Sequence, residues 1–330
     1  MELMRCTLAD NTSTRNGGAI SNYGAMMLMQ CTLSDNHAEN HGGAILNDSS
    51  LALDQCTLSR NSAANTGGAV FHTSSFYPLT AANSIIAGNT AVYLAADIRN
   101  FGAGGPVTGS GANLIGSNST VEGSFPSGPL AGTFFNPLNP LLAPLAAYGG
   151  PTQTMALLPG SPARNAAAGS LATSDQRGFP MVGTPDIGAY EAGTFGDFEA
   201  WAIETTGTAL AFSVDGEKDG AANGLEYALR RNPATSDTPL SPMLSGTAGA
   251  HLFAFRYRAA ARDLRYIVQR STDLTNGNGW LEIYRFDTST GVITETSVTG
   301  DENAGTEVIT LTDPAPGAKV LWRLRIELVP

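Results

Sequence analysis

The chain has 330 residues and a formal net charge of −11; it holds 38 glycines and 18 prolines, and only 14% of it is charged. That profile suits a turn-rich β protein of two or three domains better than a helical enzyme. An acidic surface argues against a nucleic-acid partner, which needs a basic face, and no apolar stretch reaches the ~20 residues of a membrane-spanning helix.

The first hundred residues are periodic. Cys6-Thr7-Leu8-Ala9-Asp10-Asn11 recurs as Cys31-Thr32-Leu33-Ser34-Asp35-Asn36 and as Cys56-Thr57-Leu58-Ser59-Arg60-Asn61, at intervals of 25 residues. Gly17-Gly18-Ala19-Ile20 recurs in step as Gly42-Gly43-Ala44-Ile45 and Gly67-Gly68-Ala69-Val70. A degenerate fourth copy, Asn83-Ser84-Ile85-Ile86-Ala87-Gly88-Asn89, puts Ser84 in the cysteine slot. Within a copy the apolar alternation changes phase, as from Leu51 and Leu53 to Cys56 and Leu58. A phase change in a period-2 pattern marks a bend between strands. Each repeat is therefore predicted to be two or three short strands joined by tight turns, too small to bury its apolar side alone.

Stacking the repeats at about 4.8 Å solves this and gives a parallel β-helix. The Gly-Gly pairs permit positive φ at a turn. Asn11, Asn36, Asn61 and Asn89 recur at one turn and are placed to bond one another's amides as a ladder. Cys6, Cys31 and Cys56 form one column, expected to face inward as small buried hydrophobes. Three sulfurs make a poor zinc site, and an odd count gives no disulfide framework. His37 and His41 share one rung and read as solvated turn residues.

Residues 105–162 carry nine of the 18 prolines. Proline removes ladder donors, so irregular segments that close the last rung are expected there. Further on, Asp175, Arg177, Asp186 and Glu191 are candidates for an ion-pair knot. The G-G-A-[IV] and C-T-[LI]-S-x-N elements resemble the polymorphic-outer-membrane-protein-type repeats of bacterial right-handed, pectate-lyase-like β-helices. The segment after them is similar to the choice-of-anchor Q domain of surface proteins. The matching residues are Asn83–Asn89, Gly111–Gly116, Leu158–Ala163, Asp175–Gly178 and Asp186–Glu191. Arg164-Asn165 departs from the apolar–Asp pair usual in that domain. The resemblance implies surface display and no defined chemical activity.

A new unit begins near Phe195. Asp197–Ile203 reads as a short amphipathic helix. Asp215, Glu217, Asp219, Ala221, Asn223 and Glu226 then fall at positions 1, 3, 5, 7, 9 and 12 of an EF-hand-type loop, with Gly220 at position 6. Such a loop wraps alternate oxygens around one hard cation, the Ala221 carbonyl among them, and Ca²⁺ is the expected cofactor. The alternative is an acidic, glycine-rich linker before a helix. Leu225–Pro233 is similar to an L-x-E-Y-A-L-G-x-x-P signature near the C-termini of secreted verrucomicrobial and planctomycete proteins, with Arg230 where glycine is usual. Alternating segments over 249–330, among them Leu252–Tyr257, Arg265–Arg270 and Val320–Ile326, predict a small antiparallel β-sandwich.

The expected fold class is thus mainly β, in four segments: β-helix rungs over 1–104, a Gly/Pro-rich end over 105–195, a helix–loop–helix over 196–238 and a sandwich over 239–330. No catalytic or organic-cofactor residue stands out. The chain opens directly into a repeat with no signal peptide, so further rungs and a signal upstream are expected, and with them an extracellular or cell-surface location. The leading function is a structural or adhesive module with surface polysaccharide among its partners. The rival is a polysaccharide lyase or hydrolase. Against it stand the shortage of cations, the absence of Trp before Trp201 and the lack of paired carboxylates on one rung. A third reading is a carbohydrate-binding C-terminal module that exposes Trp280 and Trp322.

Overall fold

The computed structural model describes residues 1–93, 96–101, 105–118, 130–167, 169–193, 198–214, 222–229, 242–247, 250–258, 261–271, 280–295, 299–303, 308–313 and 321–329. The chain divides into two compact units, Met1–Thr194 and Phe195–Pro330. No described helix is long and apolar enough to cross a membrane.

The first unit is a parallel β-solenoid of about four coils. Coil one holds β1 (Glu2–Met4), β2 (Thr7–Ala9), β3 (Thr12–Ser13) and β4 (Ile20–Asn22). Coil two holds β5 (Met26–Met29), β6 (Thr32–Ser34), β7 (His37–Ala38) and β8 (Ile45–Asn47). In coil three these become β9 (Leu51–Asp54), β10 (Thr57–Ser59), β11 (Ser62–Ala63) and β12 (Val70–His72). Coil four has β13 (Leu79–Ala82), β14 (Ile85–Ile86), β15 (Thr90–Ala91) and β16 (Ile98–Asn100), and β17 (Val107–Ser110) and β18 (Leu114–Ile115) begin a fifth. Four parallel sheets result, one strand per coil in each, so a repeat holds four strands rather than the two or three expected. The surplus comes from two-residue strands such as β7 and β11, too short for an alternation to register. The rungs also run past residue 104, to Ile115.

Equivalent residues sit directly above one another: Leu3 pairs with Leu28, Leu33 with Leu58, and Ile45 with Val70. These columns form a single apolar core with Cys31 and Cys56. Burying each such side chain contributes about 1.5–3 kcal/mol, which no coil could collect alone. Cys31 and Cys56 are fully buried and Cys6 partly so, as the column reading expects. The N–H of Thr32 donates to the Cys6 carbonyl at 3.0 Å, and that of Thr57 to the Cys31 carbonyl at 2.9 Å.

The corners explain the repeated motif. At the first glycine of a pair, Gly42 has φ +68°, a left-handed bend. At the second, Gly43, a β-carbon would lie 2.1 Å from the Gly68 carbonyl oxygen of the next coil. One glycine serves the backbone angle and the other the close stacking of coils. Between coils three and four the interval grows to 28 residues, Thr57 pairing with Ile85. The extra residues swell the corner after β12, where Phe76 is 87% exposed.

The Pro-rich segment departs from expectation. Residues 131–138 do cover the last rung, with Ala131 bridging to Ile115 and the Leu138 N–H donating to the Gly116 carbonyl. The chain then does not stop there. It runs back along the outer side of the β2–β6–β10 sheet as an irregular strap and reaches the first coil. The outward threonines of that sheet supply the reason, because they offer a column of hydroxyls in fixed register.

Among the described residues, the second unit holds α1 (Phe198–Thr206), α2 (Asn223–Ala228) and eight strands. Strands β19 (Met243–Thr247), β20 (Ala250–Arg256), β24 (Thr299–Asn303) and β25 (Val308–Asp313) form one antiparallel sheet, in the order β19-β20-β25-β24. Strands β21 (Leu264–Ser271), β22 (Leu281–Asp287), β23 (Val292–Glu295) and β26 (Leu321–Leu328) form the other, in the order β23-β22-β21-β26. Residues of both sheets and both helices, among them Phe198, Tyr227, Phe255, Tyr266 and Leu311, share one core.

Candidate functional site

The chemistry of the first unit lies in stacked polar columns. The Oδ1 of Asn36 accepts from both Asn11 Nδ2 (2.9 Å) and Asn11 N–H (3.1 Å). Asn61 does the same for Asn36, and Asn89 for Asn61, each with side-chain distances of 2.8 Å. The second amide hydrogen of the later ladder residues goes back one coil, Asn36 to the Leu8 carbonyl, Asn61 to Leu33 and Asn89 to Leu58, while that of Asn11 goes to Ala9 of its own coil. An interior primary amide has two donors and two acceptor sites, and here all four are used.

The ladder ends on a carboxylate. Asp97 Oδ1 accepts from Asn89 Nδ2 at 2.8 Å, and its Oδ2 accepts the Ser117 N–H. Asp97 is 1% exposed, and burial pushes its carboxyl up to about 6. Asp97 takes the slot that Ala19, Ala44 and Ala69 hold in the Gly-Gly-Ala-[Ile/Val] corners, 28 residues beyond Ala69, with Ile98 pairing Val70. A second column, Asn22–Asn47–His72, does follow the 25-residue period and escaped notice. Asn22 Nδ2 meets Asn47 Oδ1 at 2.6 Å, and Asn47 Nδ2 meets His72 Nδ1 at 2.8 Å. Burial holds the His72 imidazole below its usual range, in keeping with a neutral ring that accepts at Nδ1.

On the sheet face under the strap, Thr32 Oγ1 donates to Gln176 Oε1 at 2.6 Å, and Gln176 Nε2 donates to Thr7 Oγ1 at 2.9 Å. The Ala189 N–H donates to Thr57 Oγ1 at 3.0 Å. One glutamine thus joins coils one and two, and Ala189 ties the strap to coil three.

The expected knot is real but is built mainly from backbone amides. Arg177 Nε pairs with Asp175 Oδ2 at 2.8 Å, both side chains essentially unexposed. The guanidinium also donates to the Tyr148 and Glu191 carbonyls and lies 3.6 Å from the Tyr190 ring centroid. Asp175 accepts the N–H of Arg177, Phe179 and Glu191. Glu191 accepts those of Val182 and Asp186, and Asp186 those of Asn165 and Ala192. Burial raises the Glu191 carboxyl to about 7 and also lifts that of Asp186. A carboxylate locked by main-chain donors holds a loop in shape and has no access to a substrate.

The other candidates fall in varied places. Asp35 pairs with Arg60 Nε at 2.8 Å and takes the Ser34 hydroxyl at 2.6 Å. His37 and His41 bond the next coil, at Ser62 and Thr66, and His41 stacks on Phe71 with centroids 4.4 Å apart. They are half-buried column members rather than solvated turn residues.

Of the expected calcium ligands, Asp215, Glu217, Asp219 and Ala221 lie outside the described residues. Asn223 and Glu226 lie on α2, both buried. Asn223 Nδ2 donates to the Ala211 carbonyl at 2.9 Å. The helix itself is held by Tyr266, whose hydroxyl donates to the Ala228 carbonyl at 2.8 Å, and by Arg258, which donates to the Tyr227 carbonyl at 2.8 Å. Trp322 corrects an expectation: it stacks on Phe253 with centroids 5.2 Å apart and packs against the core. Trp280 is covered by the Arg323 guanidinium, 4.3 Å from its centroid.

Stacked coils, amide ladders and a strap define a repeat-built parallel β-solenoid. Residues 5–23 match the Chlamydia polymorphic membrane protein repeat. That stretch is the first copy of the 25-residue unit, from Arg5 through the Gly17-Gly18-Ala19-Ile20 corner. No curated protein and no solved structure matches the chain.

Proposed function

We propose that the protein is a non-enzymatic component of the bacterial cell surface, in which a right-handed, pectate-lyase-like β-helix acts as a stiff spacer and adhesive scaffold. The observation that carries this reading is the registered stack, whose polar interior is consumed by its own ladders. The repeat match supports an outer-membrane or surface setting. The strap, with Asp175, Arg177, Asp186 and Glu191 at its centre, is read as a choice-of-anchor Q-like region. The second unit is read as a C-terminal module of the verrucomicrobial and planctomycete type.

A polysaccharide lyase or hydrolase needs a carboxylate that meets its substrate. Asp97 has the raised value of a general acid, yet it is sealed inside the coil and bound by three N–H groups. Asp35 is occupied by Arg60 and Ser34. Purified protein is therefore expected to release no reducing or unsaturated ends from acidic or neutral polysaccharides. Release that disappears in Asp97→Asn or Asp35→Asn overturns the spacer reading.

Residues 215–226 are further proposed to bind one Ca²⁺ through Asp215, Glu217, Asp219, the Ala221 carbonyl, Asn223 and Glu226. The support is the all-oxygen spacing and the anchoring of α2, which holds its last ligand on a rigid helix. Calorimetry on the full chain is expected to give a calcium heat that Glu226→Gln abolishes. If millimolar calcium gives no heat and no melting shift, the segment is an acidic linker.

A further inference from the structure

A pocket of about 310 Å³ opens where the β1–β5–β9 sheet bends toward the strap. Neither the ladders nor the knot uses it. Leu3, Leu28 and Leu53 of that sheet face the core, so Met4, Met29 and Asp54, one position on, face out in one registered column. The next position, Arg5, Gln30 and Gln55, takes the left-handed bend with φ between 47° and 54°. That bend turns three long polar side chains toward strap residues Leu171–Ser174.

Two of these side chains are already engaged. Arg5 Nε donates to Gln30 Oε1 at 3.1 Å and Arg5 Nη2 to Ser174 Oγ, while Gln30 Nε2 donates to the Ser174 carbonyl. The third is not. Gln55 is 2% exposed and its Nε2 has no hydrogen-bond partner. Leaving such a group buried and unbonded costs about 1–3 kcal/mol. Beside it, the Asp54 carboxylate takes no hydrogen bond and forms no ion pair among the described residues, although partial burial raises its carboxyl above the ordinary value. A buried donor and a half-buried acceptor thus stand unsatisfied on adjacent residues of one pocket.

We propose that this pocket binds one neutral sugar ring, with Asp54 accepting from its hydroxyls and the Gln55 amide, whose Nε2 is sealed in the free chain, turning outward to donate to a ring or hydroxyl oxygen. The charges select the ligand class. Arg5 and Asp54 cancel within the pocket, so neither an anion nor a cation gains there. A hard cation needs six or more oxygens, against a single carboxylate here. Vicinal hydroxyls are donors and acceptors at once, which matches a carboxylate beside a primary amide. Met4 (49% exposed) and Leu171 (94% exposed) offer apolar surface for the C–H face of the ring. The volume is at the small end of ligand pockets, which run from about 300 Å³ upward. A spacer has no need of such a pocket, so the inference stands on this geometry and not on the reading above.

The test is an NMR titration of the full chain with the methyl glycosides of glucose, galactose and mannose. A saturable shift of the Gln55 side-chain amide is expected with at least one of them. Asp54→Asn should weaken binding about tenfold, the worth of one charge-assisted hydrogen bond, and Gln55→Met about fivefold, that of a neutral one. Neither variant should lower the melting temperature, because neither side chain has an internal partner to lose. If Gln55→Met does not fold, Asp54→Asn decides alone. No saturable shift with any of the three sugars, or an undiminished shift in Asp54→Asn, overturns the pocket and leaves the spacer reading standing. Glycan cleavage is read separately, by the assay for released ends.

Discussion

The coils and the strap bury comparable amounts of polar chemistry by opposite means. In the coils the amides of Asn11, Asn36 and Asn61 are each satisfied by their own equivalent one repeat away. Neutral groups suffice, because translation places an acceptor above each donor. The strap has no repeat. Its buried groups include ions, Arg177 and Asp175 fully enclosed: the guanidinium donates to main-chain carbonyls, and the carboxylate's lone pairs are filled by main-chain N–H groups of an irregular loop. A ladder can lose one rung and keep the rest, whereas a knot around one guanidinium loses everything together.

That contrast predicts its own largest test. Arg177→Met removes the cation while Asp175 stays buried, and breaking such a pair costs about 3–5 kcal/mol. Hydrogen exchange is expected to report the loss over residues 139–193 with the coil amides still protected. Equal loss of protection in the coils would mean that strap and solenoid form one cooperative unit.

Acid sharpens the comparison next. Burial raises Asp97 from 3.8 to about 6, so folding favours its protonated form. Its stabilising contribution is complete below about pH 4 and is lost as pH rises through about 6, worth about 3 kcal/mol. Glu191, raised to about 7 by burial, has the same sign. Unfolding of the first unit is therefore expected at a higher temperature near pH 5 than near pH 8. Asp97→Asn should flatten the part of that slope between about 4 and 6, and Glu191→Gln the part that extends on to about 7. A slope left intact by both substitutions would place the titration elsewhere.

The smallest effect separates the ladder's middle from its end. Asn61→Ala strands the Asn36 donors in the interior and should cost about 2–3 kcal/mol in denaturant unfolding. Asn11, an exposed first member, leaves no donor behind it, and Asn11→Ala should cost under about 1 kcal/mol. Equal costs would mean that the amides merely fill space.

The registered stack, the Asn11–Asn36–Asn61–Asn89 ladder, the inward cysteine column and the ion-pair role of Arg177 were all legible in the residues. The first three share one reason. In a stack, positions 25 apart in sequence are neighbours in space, so periodicity is a contact map, and the same rule contained the unread Asn22–Asn47 pair. Arg177 was legible because a buried cation must find carboxylates nearby in the chain. The four-strand coil was not, because two-residue strands carry no alternation.

Tertiary structure alone decided where the strap lies. Thr32 meets Gln176 across 144 residues, and Asp97 closes the ladder from a corner where the other coils carry alanine. The side chains of Asp54 and Gln55, each without a partner among the described residues, likewise share a pocket only because residues 171–174 line its other side. Local propensity and spacing act between near or periodic positions. A contact joining two non-repeating segments depends on how a whole surface packs, and no spacing encodes that.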